Sequence, residues 1–223
     1  MDRENVVPLP LLEGGSIEDT LTGFATQIDR DSHLGRRVER TVTVVVAELR
    51  GLHDVQAVVG PERAQTILQR ALDRMLQAME SFRPEDVSVE GEWIRPAIVA
   101  TFTGDHHPLR AVVAGEAMRD AAGSLVHPSM SERFQAGVGV NTGTIVETHL
   151  AKSGIAFSAC GTTRTFAARL QEFAGPGQVL ISDAIRHAIP VADAVAVGAL
   201  RTSPDGETEE AYLLRSLVPP DVL

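Results

Sequence analysis

Apolar positions along this chain recur in two periods. From Thr41 to Glu48 the run TVTVVVAE is nearly continuous and β-branched, the pattern of a strand buried on both faces near the centre of a sheet. A turn at Arg50-Gly51 follows. Pro61 then opens a long helix, with Ile67, Leu68, Ala71, Leu72, Met75, Leu76, Met79 and Phe82 on one face and Pro84 as its stop. Residues 87–102 alternate as a hairpin: VSVEGEWI, a turn at Arg95-Pro96, then AIVATF. The turn is placed at Pro96 because a proline inside a paired strand forfeits a ladder hydrogen bond.

The same reading continues to the end of the chain. Pro108 opens a helix whose buried side holds Leu109, Val112, Val113, Ala117 and Ala121. Phe134–Val140 and Thr144–Thr148 are expected to pair about a tight turn at Asn141-Thr142-Gly143. Gly161–Ala174 is helical, ended by Gly175-Pro176-Gly177. Gln178–Ser182 is a short strand, and Ser182 caps a helix over Asp183–Ala188. Val191–Val197 and Ala211–Arg215 close the sheet. Paired strands interleaved with helices indicate an α+β fold, its helices largely on one face. Ahead of this body, residues 1–15 read as a flexible leader. Ser16 with Asp19 begins a short amphipathic helix carrying Ile17, Leu21, Phe24 and Ile28. The expected organisation is a leader and helix over 1–38, one domain over 39–217 and a tail over 218–223.

Composition narrows the function classes. The 223 residues are 43% hydrophobic and 22% charged, in keeping with one folded domain. A formal net charge of -10 opposes binding to nucleic acid or to an anionic membrane surface. Cys160 is the single cysteine, so no intramolecular disulfide can form, and a reducing compartment suits the chain. The N-terminus has no signal-peptide pattern, and no apolar run approaches the ~20 residues of a membrane helix. The expectation is a cytoplasmic protein.

Three stretches carry a family resemblance: VTVVVAELRGL at 42–52, GVGVNTGTIV at 137–146 and CGTTRTFAARLQEFAGPGQVLIS at 160–182. In order and spacing they resemble the class III adenylate/guanylate cyclase catalytic domain over roughly residues 38–217. The resemblance implies a ferredoxin-like nucleotide-cyclase fold with a mixed, mostly antiparallel sheet. It also implies a head-to-tail homodimer with active sites at the subunit interface. Cyclisation needs a 3′-hydroxyl to attack an α-phosphate in line, with two divalent ions activating it and neutralising the phosphates. The family holds those ions with two aspartates.

Carried onto this chain, the resemblance finds most of those places altered. The first aspartate position is Glu48, whose extra methylene moves the carboxylate in a site where about 1 Å matters. The second, counted back from Phe102, is Pro96, which offers no ligand. A shifted alignment gives that role to Glu92, on condition that Pro96 lies inside the second strand. In the unshifted alignment Glu92 stands near the family's base-selecting lysine, with reversed charge. Thr162, Thr165 and Arg169 share a helix face at i, i+3, i+7. They stand where the family has a base-selecting acidic residue, a ribose-orienting asparagine and a transition-state arginine; Arg169 alone matches. Thr148-His149-Leu150-Ala151 replaces a glycine-rich turn.

Plainer readings stand beside these. Glu48 can simply pair with Arg50. Arg169 is either a vestigial phosphate contact or an interface ion pair. Asp105-His106-His107 is an N-cap and two solvated histidines, since adjacent histidines make no convergent metal site. Cys160 is a small buried residue more than a helix-terminal thiolate. The helix at 16–28 packs on its own domain, on a dimer mate or on a partner protein. The sequence thus leads to a degenerate cyclase-like domain, a pseudoenzyme acting as a homodimeric signalling or protein-interaction module, with no cofactor expected. The alternative is an active cyclase using Glu48, Glu92 and Arg169, with Mg or Mn.

Overall fold

The computed structural model describes residues 37–124, 134–149, 156–159, 161–202 and 206–217. The elements run β1 (Arg37–Arg50), α1 (Leu52–Val59), α2 (Pro61–Glu80), β2 (Asp86–Glu92), β3 (Arg95–Phe102), α3 (His107–Gly123), β4 (Gln135–His149), β5 (Ala156–Ala159), α4 (Gly161–Phe173), β6 (Val179–Ser182), α5 (Asp183–Ala188), β7 (Ala192–Arg201) and β8 (Thr208–Leu217). By contact the chain forms two units, one of Met1–Val38 with Glu147–Ser158 and one of Glu39–Val146 with Ala159–Leu223. The site described below lies wholly in the second.

Seven strands follow the order β2-β3-β1-β4-β6-β8-β7, with β5 paired to β4. β4 and β6 run parallel, while β1–β3, β2–β3, β6–β8 and β7–β8 are antiparallel. This is the mixed, mostly antiparallel α+β sheet expected from the chain. β1 lies inside the sheet, and Val42–Ala47 are all buried. Its alternate residues serve two cores. Val45, Ala47 and Leu49 pack with Leu68, Met75, Met79, Val112 and Met118 under α2 and α3. Val42, Val44 and Val46 pack with Val99, Ile145 and Ala167 beneath α4. Helices therefore cover both faces, most of them on the first.

Several local expectations need correction. The hairpin turns at Trp93-Ile94, not at Arg95-Pro96, because Gly91 pairs with Pro96 and Glu92 with Arg95. Gly91 has φ 86 and a Cβ there would stand 2.8 Å from the carbonyl oxygen of Arg95, so only glycine fits this end of the hairpin. Next, Asn141-Thr142-Gly143 is no turn: β4 runs unbroken through it. Gly143 is there for close approach, since a Cβ would lie 2.6 Å from Thr163 Oγ1 on α4. The third is α1, an eight-residue helix that the chain pattern did not announce. Lastly, α3 buries Ala111, Val112, Ala114, Gly115, Met118 and Ala122, a face rotated from the expected one. The AVVAGEAM stretch is apolar on several sides, so periodicity cannot choose among them.

Ser182 caps α5 as expected, its Oγ accepting from Ile185 N at 3.2 Å. The N-cap of α3 is His106 at φ 54, not Asp105. His107 is half-buried and its Nδ1 lies 2.7 Å from Thr43 Oγ1, which donates in turn to Thr142 Oγ1 at 3.1 Å. With that hydroxyl proton committed to Thr142, Nδ1 must be the donor to Thr43, a neutral tautomer that fits a pKa lowered by burial and by Arg110. The expected helix over 16–28, the side chains of 148–151, Cys160 and the tail over 218–223 lie outside the described residues.

Candidate functional site

Strand register decides which side chains can meet. Glu48 pairs directly with Ala97, so the two share a sheet face. Arg95 lies two residues along β3 and projects to that face too, and its partner Glu92 follows it. Ala97 and Val99 belong to the cluster under α4, which identifies this face as the α4 side. Pro96, one residue out of step, is buried on the opposite face, in phase with Ile98 and Ala100. Pro96 is therefore neither in the turn nor beside the Glu48 carboxylate.

Arg95 and Arg50 hold Glu48 between them. Arg95 donates to Glu48 Oε1 from Nη2 at 2.7 Å and from Nε at 3.2 Å. Arg50 donates to the same oxygen from Nε at 2.9 Å. The remaining nitrogens of Arg50 reach the end of α4, with Nη1 2.6 Å from Ala174 O and Nη2 2.9 Å from Gln171 O. A cation there suits the negative end of the helix dipole. Arg50 crosses β4 at Gly137, where a Cβ would lie 3.0 Å from its guanidinium carbon. The hydrogen bonds and charge of Glu48 raise the pKa of Arg95 above its ordinary value, with Glu172 and Glu92 adding to the effect. The plainer sequence reading of Glu48, pairing with Arg50, is what the geometry contains. Arg95 is the partner that reading missed. Counting back by twos along β3 from Val99 would have found it, had the turn been placed correctly.

The helix positions are elsewhere on the same face. Thr162, Thr165 and Arg169 lie away from the buried side of α4, which holds Thr163, Phe166, Ala167, Leu170 and Gln171. Thr165 Oγ1 donates back to Gly161 O at 3.2 Å. Arg169 pairs with Glu172 one turn on, at 2.9 Å, and both are substantially exposed. Arg164 is bonded to Glu90 of β2. Thr162 borders a shallow depression with Thr202, Glu207 and Glu209, away from Glu48. Glu92 is exposed at the hairpin end, opposite Arg95.

A cavity of about 500 Å³ opens beside the Glu48 cluster, lined by Arg50, Leu52, His53, Asp54, Ile94, Arg95 and Glu172 among others. The residues do not fit a pair of divalent ions. The nearer Glu48 oxygen already takes three guanidinium N–H groups, and no second carboxylate shares that contact. Among the described residues no three His, Cys, Asp or Glu side chains converge on one point. Two hard oxygen ligands at fixed separation are the minimum such a site requires.

Comparisons with known proteins agree on the architecture. The family described as the adenylate and guanylate cyclase catalytic domain matches residues 36–205. Among solved structures, the adenylyl cyclase CyaB from P. aeruginosa superposes with a TM-score of 0.64 at 17% identity, covering 81% of this chain and 96% of that one. The guanylyl cyclase Cya2 gives 0.62 at 19% identity, covering 84% and 96%. A dimeric guanylyl cyclase domain of the RhoGC fusion protein from Blastocladiella emersonii gives 0.62 at 14% identity, covering 81% and 98%. No curated protein matches the chain in sequence. Among the described residues no helix is long and apolar enough to cross a membrane.

Proposed function

The chain belongs to the adenylate and guanylate cyclase catalytic-domain family, and from that premise we propose that it is a degenerate member, a dimeric signalling or protein-interaction module without ordinary cyclase activity. The observation that carries this reading is the state of Glu48, whose carboxylate is bound by Arg50 and Arg95 of its own chain. Catalysis by positioning and charge loses about 10²-fold or more for each stabilising group removed. Here the acidic pair is reduced to one engaged carboxylate. On α4 threonines replace two of the three matched positions, and Arg169 is paired with Glu172. The dimeric guanylyl cyclase domain of the Blastocladiella emersonii fusion protein, similar in fold, supports the dimeric part. A cytoplasmic homodimer, without nucleic acid, membrane or cofactor, completes the proposal.

The second reading, an active cyclase using Glu48, Glu92 and Arg169 with Mg or Mn, has one observation in its favour. Pro96 lies inside β3, as that alignment requires, and Glu92 shares the face of Glu48. Against it, Glu92 stands opposite Arg95, and the guanidinium of Arg95 occupies Glu48. Incubating the pure protein with ATP or GTP and Mn²⁺, then separating products by chromatography, decides between the two. No cyclic nucleotide above a protein-free control is expected. Product that disappears in Glu48→Ala overturns the proposal in favour of the second reading.

A further inference from the structure

We infer that Arg95 is a cation built in beside Glu48, and that this side chain, not the neighbouring Pro96, closes the site to divalent metal. The inference rests on the family reading above and adds to it the residue responsible. The unshifted alignment puts Pro96 in the place of an acid, yet its side chain is buried on the far face of the sheet, where no substituent could meet Glu48. Position 95 is on the near face. It is the diagonal cross-strand neighbour of Glu48, about 7–8 Å away between backbones, within reach of a long side chain.

The contacts explain how the closure works. The Glu48 side chain is 12% exposed and that of Arg95 59%, so the guanidinium covers the open side of a largely withdrawn carboxylate. Arg50 cannot serve as the removable cover, because its other nitrogens are fixed on the α4 carbonyls. Two guanidinium groups bond the one carboxylate oxygen, so a divalent ion approaching that oxygen meets like charge at contact distance. A carboxylate at position 95 would reverse that balance. It would place two oxygen donors on one face with room for an ion between them at ordinary ligand distances of about 2.0–2.6 Å.

Mn²⁺ titration followed by electron paramagnetic resonance of the free ion tests this on the full chain. Four proteins are compared: wild type, Arg95→Asp, Arg95→Asp combined with Glu48→Gln, and Arg95→Gln. Arg95→Asp is expected to bind one Mn²⁺ at least about tenfold more tightly than wild type, as ligand charge count governs such sites. Adding Glu48→Gln should abolish the gain. Arg95→Gln should show a smaller gain in the same direction. Wild type binding as tightly as Arg95→Asp, or a gain that survives Glu48→Gln, overturns the inference. If circular dichroism shows that Arg95→Asp is unfolded, Arg95→Gln decides, and no gain there counts against the inference. Wild type that forms cyclic nucleotide yet binds no Mn²⁺ would sink the functional proposal alone. Absence of a gain with wild type inactive would sink this inference alone.

Discussion

Along the seam between β4 and α4, a glycine-rich strand lies directly against the helix; at the end of β1, contact is made through long charged side chains. On β4 the residues facing the helix are Gly137, Gly139, Asn141 and Gly143. A Cβ on Gly139 would stand 2.1 Å from Ala167 O and 2.3 Å from Gln171 N. Asn141 is buried between them and donates from Nδ2 to Thr163 O at 2.9 Å. Thr163 Oγ1 in turn donates to Thr144 O at 2.9 Å. No rotamer change relieves a clash with helix backbone, so the seam admits little variation. The Glu48 cluster reaches its partners through long side chains, one of them mostly exposed, and such groups can be exchanged with the fold intact. The seam therefore tolerates little change, while the charged cluster can exchange partners with the fold intact.

The sharpest way to break the comparison is Gly139→Ala. The added methyl must push α4 off the sheet, disturbing the core beneath it. The expected cost is about 3 kcal/mol or more. For a domain of this size that lowers Tm by about 6–12 °C, or prevents folding outright. Thermal melts by circular dichroism measure it. A shift under about 2 °C would show that the seam is loose and remove the contrast.

What the sequence disclosed follows the same division. The buried valines of β1, the apolar face of α2 and the cap at Ser182 were legible because burial and capping write themselves into residue type. The seam was half legible. Asn141-Thr142-Gly143 has the composition of a tight turn, and only the presence of α4 shows that the glycine answers to a helix and not to chain reversal. The Glu48 site was legible least. An ion pair between strands depends on register, and a turn misplaced by two residues put Pro96 at the tip and left Arg95 out of account. The contact of Arg164 with Glu90 was illegible for the same reason: the partner is on β2, and helix spacing contains nothing about it.

Glu48→Ala gives the intermediate effect. It leaves two guanidinium groups without their shared carboxylate, one of them half-enclosed beneath α4. Arg50 keeps both carbonyls at the helix end, which limits the damage. A loss of about 1–2 kcal/mol is expected, between the cost of an exposed pair and that of a fully buried one. The matching fall in Tm is about 2–8 °C. A cost equal to that of Gly139→Ala would make the cluster as structural as the seam. A gain in stability would mean that Glu48 is strained in place, as a site retained for binding can be.

Arg169→Ala should do least, and its smallness is informative. By the family resemblance Arg169 is the one position on α4 that keeps its residue type, so under the active-cyclase reading it would be the costliest change to function. In this chain its Nη1 donates to Glu172, one turn along the same helix, across a pair whose side chains are 36% and 57% exposed. Such pairs contribute about 0.5 kcal/mol or less, because both ends are hydrated and ordering them costs side-chain entropy. The expected change in Tm is under about 2 °C. Sedimentation of the same variant separates the two roles that remain for Arg169. An unchanged sedimentation coefficient leaves it as a surface ion pair, consistent with a cluster whose charges satisfy one another within the chain. A shift from dimer to monomer with the melt unchanged would mean that Arg169 bridges to a second copy. This exposed side of α4 would then hold an interface, and the difference between the seam and the charged groups would be one of partners as well as of packing.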